Sequence, residues 1–191
     1  MSKTKDLTQG NPGKVLLAFS LPILLGNLLQ QLYSTVDSIV VGRFVGAYAL
    51  GAVGTAFPVT FMVTAVAFGL SNGAAVIVGQ SFGSGKKERI KRIITICVWY
   101  AVAVSLLLSV ICYLLSPFLL KIINASPEIY DDALTYLRVY FVGLIFTFTY
   151  NMISSIFRAL VDSKTPLIFL GVASVVNIVL DLFFVLQFGW G

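Results

Sequence analysis

Residues 15–41 carry a single charged side chain, Asp37, in an otherwise apolar run that exceeds the roughly 20 residues a helix needs to cross the hydrocarbon core of a bilayer. Four more such runs follow, at 47–79, 93–115, 133–157 and 166–188. Lipid offers no partner to a backbone N–H or C=O, and a helix satisfies its own backbone span by span. The predicted fold is therefore all-α, a polytopic membrane helix bundle of about five transmembrane helices with the lipid bilayer as its main solvent. Composition agrees, with 58% hydrophobic and 11% charged residues, where a soluble domain has about a quarter charged. The second run has 33 residues, too many for one upright helix and too few for two with a turn. Pro58, Gly69 and Gly73 within it favour a single tilted, bent span.

The net charge of +5 raises nucleic acid as a partner, but the basic residues sit between the apolar runs without interleaved aromatics, and no nucleic-acid role is expected. They report orientation instead. With the N terminus inside, ten Lys and Arg fall on the inner side (Lys3, Lys5, Lys14, Lys86, Lys87, Arg89, Lys91, Arg92, Arg158, Lys164) and three on the outer (Arg43, Lys121, Arg138). Residues 1–14 are read as a cytoplasmic tail and 15–191 as a membrane bundle in the cell inner (plasma) membrane. The first run is too long for a signal-peptide core and is read as an uncleaved span. The acidic group Glu128, Asp131 and Asp132 then lies outside, after Ser126 and Pro127, which suit a helix start. Five spans from an inner N terminus end outside at "QFGWG", directly after the last helix, and the chain is expected to be part of a longer one.

Several chemistries are excluded or weakened. There is no His, so imidazole catalysis and His metal sites are absent, no cofactor is expected, and an enzyme is not expected. Cys97 and Cys112 are separated by roughly 22 Å of helix, beyond disulfide reach. "GQSFGSGKKERIKR" imitates a phosphate-binding loop, but Gln80 stands where that motif needs Gly and Lys87 where it needs Ser or Thr; the plain reading is a basic turn at the membrane surface. Glycines four apart (Gly42 and Gly46, Gly69 and Gly73, Gly79 and Gly83) allow helix backbones to approach, with packing inside the chain expected. Gly42 and Gly46 are assigned with Arg43 to a tight outer turn.

The informative residues are two carboxylates inside spans, Asp37 and Asp181. An Asp at a helix centre opposes insertion by about 2.5–3.5 kcal/mol, which a purely structural chain seldom retains twice. Both helices run outward, so both acids fall in the outer half of the bilayer and are able to meet there. Asn177 lies one turn before Asp181 on the same face. Gln30, Tyr33 and Ser34 precede Asp37 by seven, four and three residues, a polar stripe expected to face inward and line a substrate cavity. Two acids in one low-dielectric site titrate as a pair and are able to carry a proton; carboxylate, amide and hydroxyl oxygens equally suit Na⁺. Residue pattern does not choose between the ions. The competing readings are an Asp37 that caps backbone or pairs with Arg43, and an Asp181 that reaches the outer surface. Pro22 removes a backbone bond to Ala18, and with Gly26 it forms a candidate hinge in the first helix, though such bends are also ordinary packing features.

The stretches "LPILLGNLLQQLYSTVDSIVVGRFVG", "GLSNGAAVIVGQSFGSG", "YLRVYFVG", "FRALVDSKTPL" and "NIVLDLFFV" occur in this order. Together they resemble the N-terminal half of the multidrug and toxic compound extrusion (MATE) family of cation-coupled efflux transporters, from about Asn11 to the last residue. The resemblance implies most of one six-helix lobe of a twelve-helix transporter, with the sixth helix and the C lobe absent. It implies that Asp37, Asn177 and Asp181 form a cation or proton site joined by Tyr136, and that proton or Na⁺ entry drives export of an organic, often cationic, drug-like substrate. A second lobe or chain is then needed for function. Two alternatives remain: a flippase for a lipid-linked precursor, disfavoured because the spans lack Lys or Arg except near their ends, and a truncated membrane protein that transports nothing.

Overall fold

The computed structural model describes residues 12–85 and 87–188. Most of the cytoplasmic tail assigned above, together with Lys86 and the chain end at 189–191, lies outside the described residues. Six helices follow in order: α1 (Pro12–Val40), continued by a π-helical turn (Val41–Val45), α2 (Ala47–Gly83), α3 (Lys87–Ile122), α4 (Tyr130–Val142), α5 (Leu144–Ala159) and α6 (Lys164–Phe188). No strand occurs among the described residues. The chain is an all-α membrane protein: α1, α2, α3 and α6 are each long and apolar enough to cross a bilayer, and α4 with α5 passes the same test as a bent pair.

The helices fall into two units, one built from Met1–Val45 with Phe157–Gly191 and the other from Gly46–Ile156. In the first, α1 packs along α6. α1 is continuous through Pro22, even though the ring removes one backbone hydrogen bond. The turn after α1 closes at Gly46, whose φ of 128° is a backbone region that suits only glycine. The tight turn expected at Gly42 and Arg43 is instead a π-helical continuation of α1, and of the three residues assigned to it only Gly46 lies outside the helix.

In the second unit, α2, α3 and α4 pack against one another. The buried face of α2 is Ala52, Ala56, Val59, Val63 and Ala67, set against Leu120 of α3, Leu137 and Phe141 of α4, and Leu144 and Phe148 of α5. Small residues at intervals of three and four let these backbones approach closely. Alanine does this here rather than glycine. A Cβ added at Gly69, Gly73 or Gly83 would meet nothing within 4 Å, which corrects the expectation that these glycines mark close packing within the chain.

Two boundaries differ from the sequence reading for identifiable reasons. The third run ends at 115 on hydropathy, before Ser116 and Pro117, yet α3 continues to Ile122 with Pro117 inside it. Pro117 has no N–H to give the Tyr113 carbonyl, and the Ser116 hydroxyl donates to that oxygen instead, at 2.7 Å. The fourth run, read as one span, is interrupted at Gly143, where α4 and α5 meet with a bend of 48°. At this interruption the Phe141 carbonyl accepts a backbone N–H of the α4 cap and, in addition, the Ser109 hydroxyl of α3. At 13 and 16 residues, neither half is long enough to span alone.

Candidate functional site

α1 and α6 run parallel, and the register follows from two contacts. A Cβ at Gly26 would stand 3.7 Å from a methyl of Leu167 and of Leu170. Eleven residues beyond Gly26 on α1 is Asp37, and eleven beyond Leu170 on α6 is Asp181. The two carboxylates are close enough to act on each other electrostatically. Both are half-buried. Gly26 is buried, alone among the described α1 positions before Asp37, and this explains the approach: without a side chain there, the leucines of α6 reach the α1 backbone.

Asn177, one turn before Asp181, is half-buried, and its Oδ1 is fully enclosed without a hydrogen-bond partner among the described residues. A buried carbonyl oxygen in this condition favours a cation or a proton donor beside it. On α1, Thr35 and Ser38 donate to the carbonyls of Gln31 and Ser34, each at 2.9 Å, so hydroxyl hydrogens next to Asp37 are spent on backbone. No ion pair joins Asp37 to Arg43 among the described residues, and Asp37 is half-buried. Tyr33 is half-buried, whereas Gln30 and Ser34 are exposed on the surface of α1. No group of three or more His, Cys, Asp or Glu converges among the described residues. The oxygens present, two carboxylates and an amide, are hard ligands suited to H⁺ or an alkali ion rather than to a soft transition metal.

Pro22 and Gly26 lie in unbroken helix, half-buried and buried respectively. Tyr136 lies on α4, in the other unit, half-buried, its ring stacked on Tyr140 with centroids 6.3 Å apart. Tyr140 is fixed in turn by a 2.6 Å hydrogen bond to Thr64 of α2. Because the Thr64 hydroxyl already donates to the Thr60 carbonyl at 2.8 Å and has one hydrogen to give, Tyr140 is the donor. Sequence reasoning passed over Tyr140 because one more tyrosine in an apolar run leaves its hydropathy unchanged. Its place one turn after Tyr136 was the available signal.

The start of α6 is set by Asp162. Its Oδ1 accepts from the backbone N–H of Lys164 at 3.2 Å and of Thr165 at 3.0 Å, and its Oδ2 accepts from the Thr165 hydroxyl at 2.7 Å. These bonds, the Thr165 hydroxyl foremost, hold the Asp162 carboxyl below the usual carboxylate range. The carboxylate thus accepts all three bonds, meeting otherwise unpaired N–H groups of the first turn, and anchors the helix that carries Asn177 and Asp181.

The family model described as MatE matches residues 22–183, a stretch that contains Asp37, Asn177 and Asp181. The chain belongs to the MATE family. Members of that family are membrane transporters and not enzymes. Among its relatives, the "Probable multidrug resistance protein YpnP" of Bacillus subtilis is 37% identical over 189 residues, covering 99% of this chain and 42% of the relative. The "Probable multidrug resistance protein NorM" of Thermotoga maritima is 28% identical, covering 88% of this chain and 36% of the relative. A solved MOP superfamily transporter from Pyrococcus furiosus superposes with a TM-score of 0.91 at 27% identity, covering 100% of this chain and 42% of that structure. This MATE chain thus spans less than half the length of the relatives it matches, and its fold corresponds to one lobe of theirs.

Proposed function

We propose that this chain is the N-terminal lobe of a cation-coupled antiporter that exports amphipathic organic compounds, with Asp37, Asn177 and Asp181 as its proton or Na⁺ site. The observation that carries the proposal is the register that sets Asp37 level with Asp181 on two packed parallel helices, beside an enclosed Asn177 oxygen without a partner among the described residues. Two carboxylates at close range repel when both are charged, and a proton or Na⁺ between them removes that repulsion. The α1–α6 packing is therefore tighter with the ion bound than without it. Pro22 and Gly26 let α1 bend in response, and the bend alters the space in which an organic substrate sits. Ion and substrate are coupled by that shared difference in affinity.

A second lobe, on the same or another chain, completes the cavity; relatives named as multidrug resistance proteins are about twice as long. The excess of basic residues around the inner ends of the spans supports a cytoplasmic N terminus in the plasma membrane. The test is efflux of ethidium from vesicles carrying the chain together with a C-terminal lobe, under an imposed proton gradient and, separately, a Na⁺ gradient. Asp37→Asn and Asp181→Asn are expected to abolish the gradient-driven component while leaving membrane insertion intact. Wild-type efflux by both variants under both gradients overturns the proposal.

A further inference from the structure

α3 and α4 carry a cation that the coupling reading does not use. The Arg138 guanidinium lies over the Tyr113 ring, its central carbon 5.3 Å from the centroid. Its Nε is enclosed and has no hydrogen-bond partner among the described residues. A charge placed this way inside an apolar bundle calls for an anion at the free edge of its fork.

Depth and surroundings identify that anion. α3 has 36 residues, about 54 Å of helix, against a hydrocarbon core of about 30 Å. Tyr113 lies nine residues, about 14 Å, from the Ile122 end, and Arg138 lies eight residues, about 12 Å, from the start of α4. Both therefore fall near the boundary between hydrocarbon and headgroups. One turn further from the α3–α4 connection, Val110 is 59% and Val142 66% exposed, apolar surface at the level of acyl chains. Lys121, nearer the helix end, is exposed and supplies a cation on the water side, next to the acidic Glu128, Asp131 and Asp132 of the connection. Apolar surface below, a tyrosine ring and guanidinium at the boundary, and a lysine above match the layers of a phospholipid.

We propose that Arg138, stacked on Tyr113, holds the phosphate of a phospholipid headgroup against α3 and α4, with the acyl chains lying over Val110 and Val142. A guanidinium recognises phosphate through two parallel N–H bonds, which Lys does not reproduce. The ring keeps the fork flat against the helices and its charge stabilised. The proposal needs only that α3 and α4 cross the bilayer and is independent of the carboxylate site.

The test is native mass spectrometry and thermal unfolding of the purified chain, titrated with phosphatidylglycerol, with diacylglycerol of the same acyl chains, and with inorganic phosphate. The wild type is expected to retain one more phosphatidylglycerol than Arg138→Gln, with an affinity for it about tenfold higher. Arg138→Lys should lose most of that difference, and Tyr113→Leu part of it. Phosphatidylglycerol should raise the wild-type melting temperature and diacylglycerol should not, a comparison that stands even where a variant fails to fold. Equal retention of the two lipids, binding of inorganic phosphate in place of the lipid, or unchanged lipid retention in Arg138→Gln with lowered stability would each overturn it. The last result would assign the guanidinium to a protein carboxylate instead.

Discussion

Asp162 and Gly46 are short-range devices with separable effects. The Asp162 carboxylate caps α6 with two backbone bonds and one hydroxyl bond. Replacing such a cap by Ala costs about 0.5–2 kcal/mol, and here the lower part of that range applies because the group is largely solvated. Its folded-state titration is lowered, so the unfolded chain binds the proton more readily. The contribution is fully present above the ordinary carboxylate value and is lost as pH falls through the lower, folded one. Melting of the wild type should therefore decline on acidification more than that of Asp162→Asn, read by circular dichroism between pH 6 and the acid limit of solubility. Gly46 at φ 128° is a position where Ala is strained, and Gly46→Ala should lose more than about 1 kcal/mol. At this scale the sequence was legible where chemistry is conspicuous. A carboxylate in an apolar run stands out, so Asp37, Asn177 and Asp181 could be singled out by type and spacing. Arg138 was counted only as an outer-side charge, because its partner Tyr113 lies on another helix, 25 residues away in sequence.

Between helices, the same unit uses hydroxyls to repair what proline and a helix break disturb. Ser116 serves the Tyr113 carbonyl freed by Pro117, and Ser109 adds a bond from α3 to the Phe141 carbonyl beside the break at Gly143. Such bonds in membranes average about 0.6 kcal/mol and reach about 1.7 kcal/mol, and leaving a buried carbonyl unmet costs about 1–3 kcal/mol. Ser109→Ala is expected to destabilise the chain by about 0.6–1.5 kcal/mol, the loss of one interhelical bond to a carbonyl that keeps a backbone partner, with increased proteolysis between α4 and α5. Ser109→Thr, which keeps the donor, should be close to wild type; equal losses in both variants would show the hydroxyl to be irrelevant. Tyr140→Phe tests the Thr64 link in the same way and should cost about 0.6–1.5 kcal/mol, since Thr64 keeps its own bond to Thr60. Helix type and the approximate number of apolar spans were readable from hydropathy, because lipid leaves the backbone little choice. The interruption at Gly143 and the extension past Pro117 were not, because both depend on a serine from a neighbouring turn or helix, and a serine in an apolar run barely alters its mean.

For the whole molecule, the charge distribution makes a statement about topology that can be checked without any transport. Basic residues outnumber acidic ones near the start of α3, where Arg89, Lys91 and Arg92 follow one another closely, while Glu128, Asp131 and Asp132 occupy the α3–α4 connection. The membrane potential and the translocation machinery retain such basic segments on the cytoplasmic side, and a reversed bundle would have to carry the α3 cluster across. Arg89 and Glu128 are both exposed, so a single cysteine at either is accessible once Cys97 and Cys112 have been replaced by Ser. In intact cells, Glu128→Cys should react with a membrane-impermeant maleimide and Arg89→Cys should react only after the cells are opened. The opposite pattern would place the N terminus outside and the α3–α4 connection inside. It would put Asp37 and Asp181 on the cytoplasmic half of the bilayer, so that a proton or Na⁺ entering from outside would no longer reach them first, and the order of ion binding in the proposed exchange would have to be reversed. Labelling at both positions in intact cells would mean a mixed orientation, and would show that a charge asymmetry of ten against three does not by itself fix the topology of this chain.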